Sequence, residues 1–269
     1  MFADKYGPWA LVAGASDGVG AALADGLAQR GVNVVLLARR QPLLDEVAAG
    51  IENRHGVQTR TLAIDLATET AASQIAEATG DLEIGFLAYC AGADPNYQPF
   101  LDSPLAAAEA MVQRNCVVPM RLCHHFAAPM VSRARGGIVL FGSGAGFAGA
   151  PNMVAYGASK AFDMVFAEAL WAELHDKGVD VIGLILGKTD TPSLRTLEHK
   201  RPAIDGRPRR CGHRRGGGDR GIRQPGQRAH RAGRRRDEGG RPDTGNADPQ
   251  AGRGTADGGR RRHDGVNAR

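Results

Sequence analysis

Tyr156-Gly157-Ala158-Ser159-Lys160 sets a phenol and an ammonium four residues apart. On a helix, side chains at that spacing stand one turn apart on one face. An ammonium beside a phenol favours the phenolate, so such a tyrosine can exchange a proton near working pH. That is general acid/base chemistry, such as protonating an oxygen while its carbon is reduced. Taken alone the spacing is common, and an unreactive Tyr–Lys pair is the simpler reading. Ser143 lies earlier, in Phe141-Gly142-Ser143-Gly144-Ala145-Gly146, following an apolar run. Ligands of open parallel sheets bind at the carboxyl ends of strands, so a hydroxyl placed there can hydrogen-bond a substrate oxygen. Asn115 falls inside a helical stretch, where an amide is a weak helix former; a place on the helix surface is its simpler reading.

A second motif is Gly14-Ala15-Ser16-Asp17-Gly18-Val19-Gly20, between a short apolar run and a helical pattern. Glycine is required where φ is positive or a side chain would clash. A strand–turn–helix of this kind lets backbone approach a pyrophosphate at the helix N-terminus. A tight turn with no ligand is the alternative. At the end of the second apolar run, where a site for a free ribose 2′-hydroxyl usually carries an acid, this chain has Ala38-Arg39-Arg40. A guanidinium can fork onto a 2′-phosphate. These residues therefore favour NADP(H) over NAD(H), unless the arginines are only solvated charges at a helix start. Asp17, an acid inside the turn, argues the other way.

The elements that must position these groups follow from periodicity. Apolar runs at 10–13, 32–38, 61–65, 85–90, 137–141 and 179–186 are near-continuous, as expected of strands covered on both faces. Helical patterns at 21–30, 42–55, 68–79 and 156–177 alternate with them. The order predicts an α/β fold: a doubly wound, Rossmann-type parallel sheet of about six strands with helices on both faces.

Composition divides the chain near residue 200. Residues 1–200 carry a net charge of −6, whereas 201–269 carry +11, with 19 Arg and no Lys. The basic balance therefore says nothing about the surface of the first part. The second part has no Leu, Met, Phe, Tyr or Trp, too little apolar surface to offset chain entropy. The expected organisation is a single dinucleotide-binding domain over 1–200 and a disordered Arg/Gly-rich tail over 201–269, with no seventh strand. Three readings of the tail stay open: a native disordered segment, an arm for nucleic-acid phosphates, or coding sequence read in a shifted frame. The arm would lack aromatic residues to stack on bases, so nucleic acid is not an expected partner. No apolar stretch of about 18 residues predicts a membrane span, and the start, with Asp4 and Lys5, does not read as a secretory signal. Cys90, Cys116, Cys123 and Cys211 form no metal spacing and no dense disulfide framework, which favours a reducing cytoplasm. His124-His125 has no acid at metal spacing and reads as an ordinary pair.

Taken together, these motifs resemble the short-chain dehydrogenase/reductase family over about residues 8–195. Gly14, Ser16, Gly18, Val19 and Gly20 match its cofactor turn, and Asp65 its adenine-contacting acid. Asn115, Ser143, Tyr156 and Lys160 match its catalytic tetrad in order and spacing, and Thr191 its threonine at the nicotinamide amide. The resemblance implies that Tyr156 is the general acid/base and that Ser143 positions the carbonyl. It implies that Lys160 binds the nicotinamide ribose and favours the Tyr156 phenolate, and that Asn115 supports a water-linked proton relay. Ala91 and Gly92 would lie along the cofactor, and the helices carrying Asn115 and Tyr156 would pair in a homodimer. The chain departs from the family pattern at Tyr89-Cys90-Ala91-Gly92, where Asn-Asn-Ala-Gly is usual, and at Leu186-Gly187, where Pro-Gly is usual. Cys90 cannot supply an amide's hydrogen bonds and reads as a small packing residue. The implied activity is NADPH-linked interconversion of a ketone or aldehyde and an alcohol. The alternative is a cofactor-binding fold without turnover, because the C-terminal substrate region is altered.

Overall fold

The structure, a computed structural model, describes residues 1–94, 96–187, 189–192, 194 and 195. The 201–269 tail, with Cys211, lies outside the described residues. A short helix α1 (Phe2–Tyr6) leads into β1 (Trp9–Ala13), followed by α2 (Gly18–Ala28), β2 (Asn33–Ala38), α3 (Gln41–His55), β3 (Thr59–Ala63), α4 (Ala71–Ala78) and β4 (Ile84–Tyr89). After these come α5 (Leu105–Val112), a π-helical segment (Gln113–Val117), α6 (Val118–Ser132), β5 (Gly136–Ser143), α7 (Val154–Leu174) and β6 (Val179–Leu186). The six strands form one sheet in the order β3-β2-β1-β4-β5-β6, and every neighbouring pair is parallel. The doubly wound sheet expected from the sequence is thus observed. Strand order reverses between β1 and β4, so the crevice beyond their carboxyl ends is the natural ligand position.

Alternating side chains divide the core into two halves. On one face Leu11, Leu37, Leu87 and Leu140 meet Ile75 of α4, Leu122 and Met130 of α6, and Ala167 of α7. On the other, Val12, Leu36, Ala88 and Phe141 meet Leu27 of α2 and Leu44 and Ile51 of α3. Local chemistry marks the helix ends. Pro42 opens α3, and Gly56, at φ 67°, closes it in the left-handed conformation.

Burial on both faces holds for the four central strands and fails at the two edges. No residue of β3 is fully buried, and it spans 59–63 rather than the expected 61–65. As the outermost strand it has one neighbour, and the polar Thr59 and Arg60 belong to it. At the opposite edge, Ile182, Leu184 and Ile185 of β6 are 40–50% exposed. The observed β5 runs through Ser143, so Ser143 is the last residue of the strand rather than two residues past the end of the apolar run 137–141.

Because Leu87 is fully buried in the central β4, Leu87→Ala should cost about 2–5 kcal/mol of unfolding free energy. Leu101→Ala, at a position 92% exposed, should change stability by less than about 0.5 kcal/mol. Urea denaturation of the two variants checks the contrast.

Candidate active site

The glycine turn is held by backbone. Gly14 N–H and Ala15 N–H both donate to Leu37 O, at 2.7 and 3.1 Å, tying the turn to β2. Gly14 adopts φ +87°, and a Cβ there would lie 2.9 Å from Ala91 N. A Cβ on Gly20 would lie 2.1 Å from Gly14 O. The ends of β1 and β4 and the start of α2 therefore approach closer than side chains allow. The result is a bare-backbone cradle at the N-terminus of an eleven-residue helix, which fits a dinucleotide pyrophosphate. Thr191 stands beside it, since a Cβ on Gly18 would meet Thr191 Cγ2 at 3.1 Å.

Arg40 reaches back over this turn. Its Nη2 donates to Ser16 Oγ at 3.1 Å and to Asp17 Oδ2 at 2.6 Å. Asp17 stands at the α2 N-cap without making a side-chain cap bond; its carboxylate instead serves Arg40. Arg39 is exposed. Asp65 is also exposed, and its Oδ1 accepts the Ala67 N–H at 3.0 Å in a local turn.

Asn115 lies in the π-helical segment and is 1% exposed, not on a helix surface. Its Nδ2 donates to Ser159 Oγ at 2.9 Å, and Ser159 Oγ donates to Tyr156 O at 2.8 Å. Asn115 Oδ1 accepts from Arg114 Nε at 3.1 Å, and Arg114 also donates to Ala93 O at 3.0 Å. A Cβ on Gly92 would lie 3.0 Å from Asn115 Oδ1 and 3.1 Å from Lys160 Nζ. Gly92, at φ +130°, thus lets the loop after β4 pass close to both side chains.

Lys160 is 4% exposed. Two of its three ammonium donors are used, to Phe141 O at 2.7 Å and to Asp163 Oδ2 at 2.9 Å. Its Nζ lies 6.0 Å from the centroid of the half-buried Tyr156 ring. The turn after Ser143 packs on the same helix, because a Cβ on Gly146 would meet Lys160 C at 2.7 Å. Ser143 Oγ accepts the Ala145 N–H at 3.3 Å. A cleft beside Tyr156 is lined by Asp94, Gln98, Phe100, Met111 and Met153. Asp94 there is nearly buried and accepts the Asn96 and Tyr97 amide hydrogens at 2.9 and 3.2 Å.

The sequence reading did not single out Ser159, Arg114 or Asp163 as partners of these groups. Asp163 had a signal: an acid in the otherwise apolar stretch Ala161-Phe162-Asp163-Met164-Val165, three residues after Lys160. Burial pushes the Asp163 carboxyl above its ordinary range, with Lys160 acting in the opposite sense. Cys90, at the departure from the family pattern, is partly buried against the β1–β2 half of the core. Burial pushes its thiol up to about 12, so it packs as a small neutral group.

Known proteins agree with this architecture. Residues 8–202 match the family model for short chain dehydrogenases. A 7β-hydroxysteroid dehydrogenase of Collinsella aerofaciens is 36% identical over 191 residues, covering 71% of this chain and 72% of that protein. A solved 7β-hydroxysteroid dehydrogenase structure superposes with a TM-score of 0.70 at 35% identity, over 72% of this chain and 75% of that chain. A short-chain dehydrogenase from Sphingobium yanoikuyae in complex with NADPH gives a TM-score of 0.65 at 32% identity, over 68% of this chain and 72% of that chain. The chain belongs to the short-chain dehydrogenase/reductase family and is an NAD(P)-dependent oxidoreductase.

The cradle yields a prediction. Gly20→Ala forces a methyl against the Gly14 carbonyl, and the turn must open. Cofactor affinity should fall at least about tenfold, equivalent to about 1.4 kcal/mol. Gly149→Ala, with nothing within 4 Å, should leave it unchanged. Fluorescence titration with NADPH measures both.

Proposed function

We propose that this protein is an NADP(H)-preferring reductase/dehydrogenase that interconverts a ketone and a secondary alcohol on a bulky apolar skeleton of hydroxysteroid type. The observation that carries the reading is the Tyr156 phenol near a buried ammonium and beside a cleft lined by the segment after β4 and the start of α7. When bound, the nicotinamide supplies or accepts the hydride equivalent. The chain's own residues handle the proton. Tyr156 gives its hydroxyl proton to the substrate oxygen during reduction and takes it back during oxidation. Ser143 Oγ holds that oxygen in place. Lys160 keeps positive charge beneath the phenol and has one donor left for the nicotinamide ribose. Asn115, through Ser159, fixes the backbone of the Tyr156 turn and supports the water-linked relay.

The nucleotide preference rests on Arg40. A guanidinium over the turn at the end of β2 suits a 2′-phosphate, and that phosphate would take the place now held by Asp17 Oδ2. Arg39 shares the role. Asp65 would meet the adenine, Ala91 and Gly92 the cofactor's length, and Thr191 the nicotinamide amide. The substrate class is taken from the hydroxysteroid dehydrogenases that this chain resembles. We further read 1–200 as the working domain. A homodimer would pair the surfaces carrying Val112, Met120 and Val165, which are 42–66% exposed. The free thiols of Cys90, Cys116 and Cys123 suit the cytoplasm. Among the described residues, no helix is long and apolar enough to cross a membrane.

A second reading, a cofactor-binding fold without turnover, draws on the exposed β6 edge. One experiment separates the two: NADP⁺ reduction assayed with a 7β-hydroxysteroid. The proposal expects turnover that falls at least about a hundredfold in Tyr156→Phe, with NADPH binding retained. NADPH binding without turnover on any secondary alcohol would favour the second reading.

A further inference from the structure

The acid-base role of Tyr156 leaves one buried group unused. Asp163 lies one turn beyond Lys160 on α7, and both side chains are about 95% enclosed. Their contact is 2.9 Å, against 6.0 Å from the same Nζ to the Tyr156 ring. Burying a single charge is costly, and a buried ammonium needs a counter-charge or hydrogen-bond acceptors. Phe141 O is a neutral acceptor at 2.7 Å; the only full negative charge at contact with the ammonium among the described residues is the Asp163 carboxylate.

We propose that Asp163 is a positioning residue for Lys160: its carboxylate anchors the ammonium against the end of β5 and offsets the positive charge that Tyr156 feels. Without Asp163 the phenol faces a bare cation; with it, an ion pair whose negative end lies farther along the helix. The pair therefore moderates how readily the Tyr156 phenolate forms, by the ordinary effect of nearby charge. This rests on the proposed acid-base role of Tyr156.

The groups that face the Asp163 carboxylate do not blur the effect. They are Lys160 on its own helix, Tyr89 on β4, Cys116 in the π-helical segment and Cys123 on α6. Burial pushes the Tyr89 hydroxyl well above its ordinary range, and that hydroxyl donates to Arg114 O. Burial pushes the Cys116 and Cys123 thiols up to about 11 and about 12. These three groups stay neutral below that range, and Lys160 is the charge that matters.

The test needs no substrate. Ultraviolet phenolate absorbance of the full-length chain is titrated with alkali, and the signal of Tyr156 is isolated by subtracting Tyr156→Phe in each background. In Asp163→Asn the Tyr156 phenolate should appear at a pH lower than in the unmodified chain by roughly half a unit or more. Asp163→Glu, which keeps the charge, should restore the original midpoint. An unchanged midpoint in Asp163→Asn overturns the proposal. If Asp163→Asn does not fold, Asp163→Gln, which likewise removes the charge and keeps a carbonyl acceptor for Lys160, carries the same comparison. Failure of both to fold would overturn it too, because the pair would then be a stability element only. Failure of the functional reading shows elsewhere, as turnover that survives Tyr156→Phe.

Discussion

A nearly buried ammonium governs how this molecule is put together at its working end. Lys160 can sit inside the protein only if its donors are met. The groups that meet them come from β5, through the Phe141 carbonyl, and from α7 itself, through Asp163. Gly92, after β4, passes against the same Nζ and against Asn115. The ammonium thus ties α7 to β5, with the loop after β4 packed against it. Tyr156 inherits its place from that arrangement.

The second constraint is steric. The Gly14–Gly20 turn lies so close to the loop after β4 that a single methyl on Gly14 or Gly20 would collide with backbone. This closeness brings the cradle next to the Lys160 network across the point where strand order reverses. Under the proposed function, a ligand whose pyrophosphate rests on the turn is directed toward Tyr156. Arg40, meanwhile, is kept near the turn by Asp17 and Ser16. Asp17, the acid that argued against a phosphate site in the sequence, is the carboxylate that holds Arg40 there.

Much of this was legible in the amino-acid sequence, for identifiable reasons. Strands β1, β2, β4 and β5 are covered on both faces, and their near-continuous apolar runs mark them. β3 was misplaced by two residues because an edge strand carries polar side chains such as Thr59 and Arg60, which blur its pattern. The glycine turn and the Tyr156–Lys160 spacing were readable because each answers a local geometric need. The partners of those residues were not. Nothing local announces that Asn115 lies in a π-helical turn, which rotates its amide into the interior toward Ser159. Nor does a sequence show that Asp163 faces inward, since the choice between a solvated acid and a buried one is made by tertiary packing.

Thermal unfolding of the full-length chain alone, with NADPH and with NADH tests the central claim most directly, namely that the described residues form a working dinucleotide site read by Arg40. A ligand that binds only the folded state raises the midpoint by mass action. The account predicts a cooperative transition whose midpoint rises with both nucleotides and rises more with NADPH. No rise with either nucleotide, or a larger rise with NADH, would contradict it.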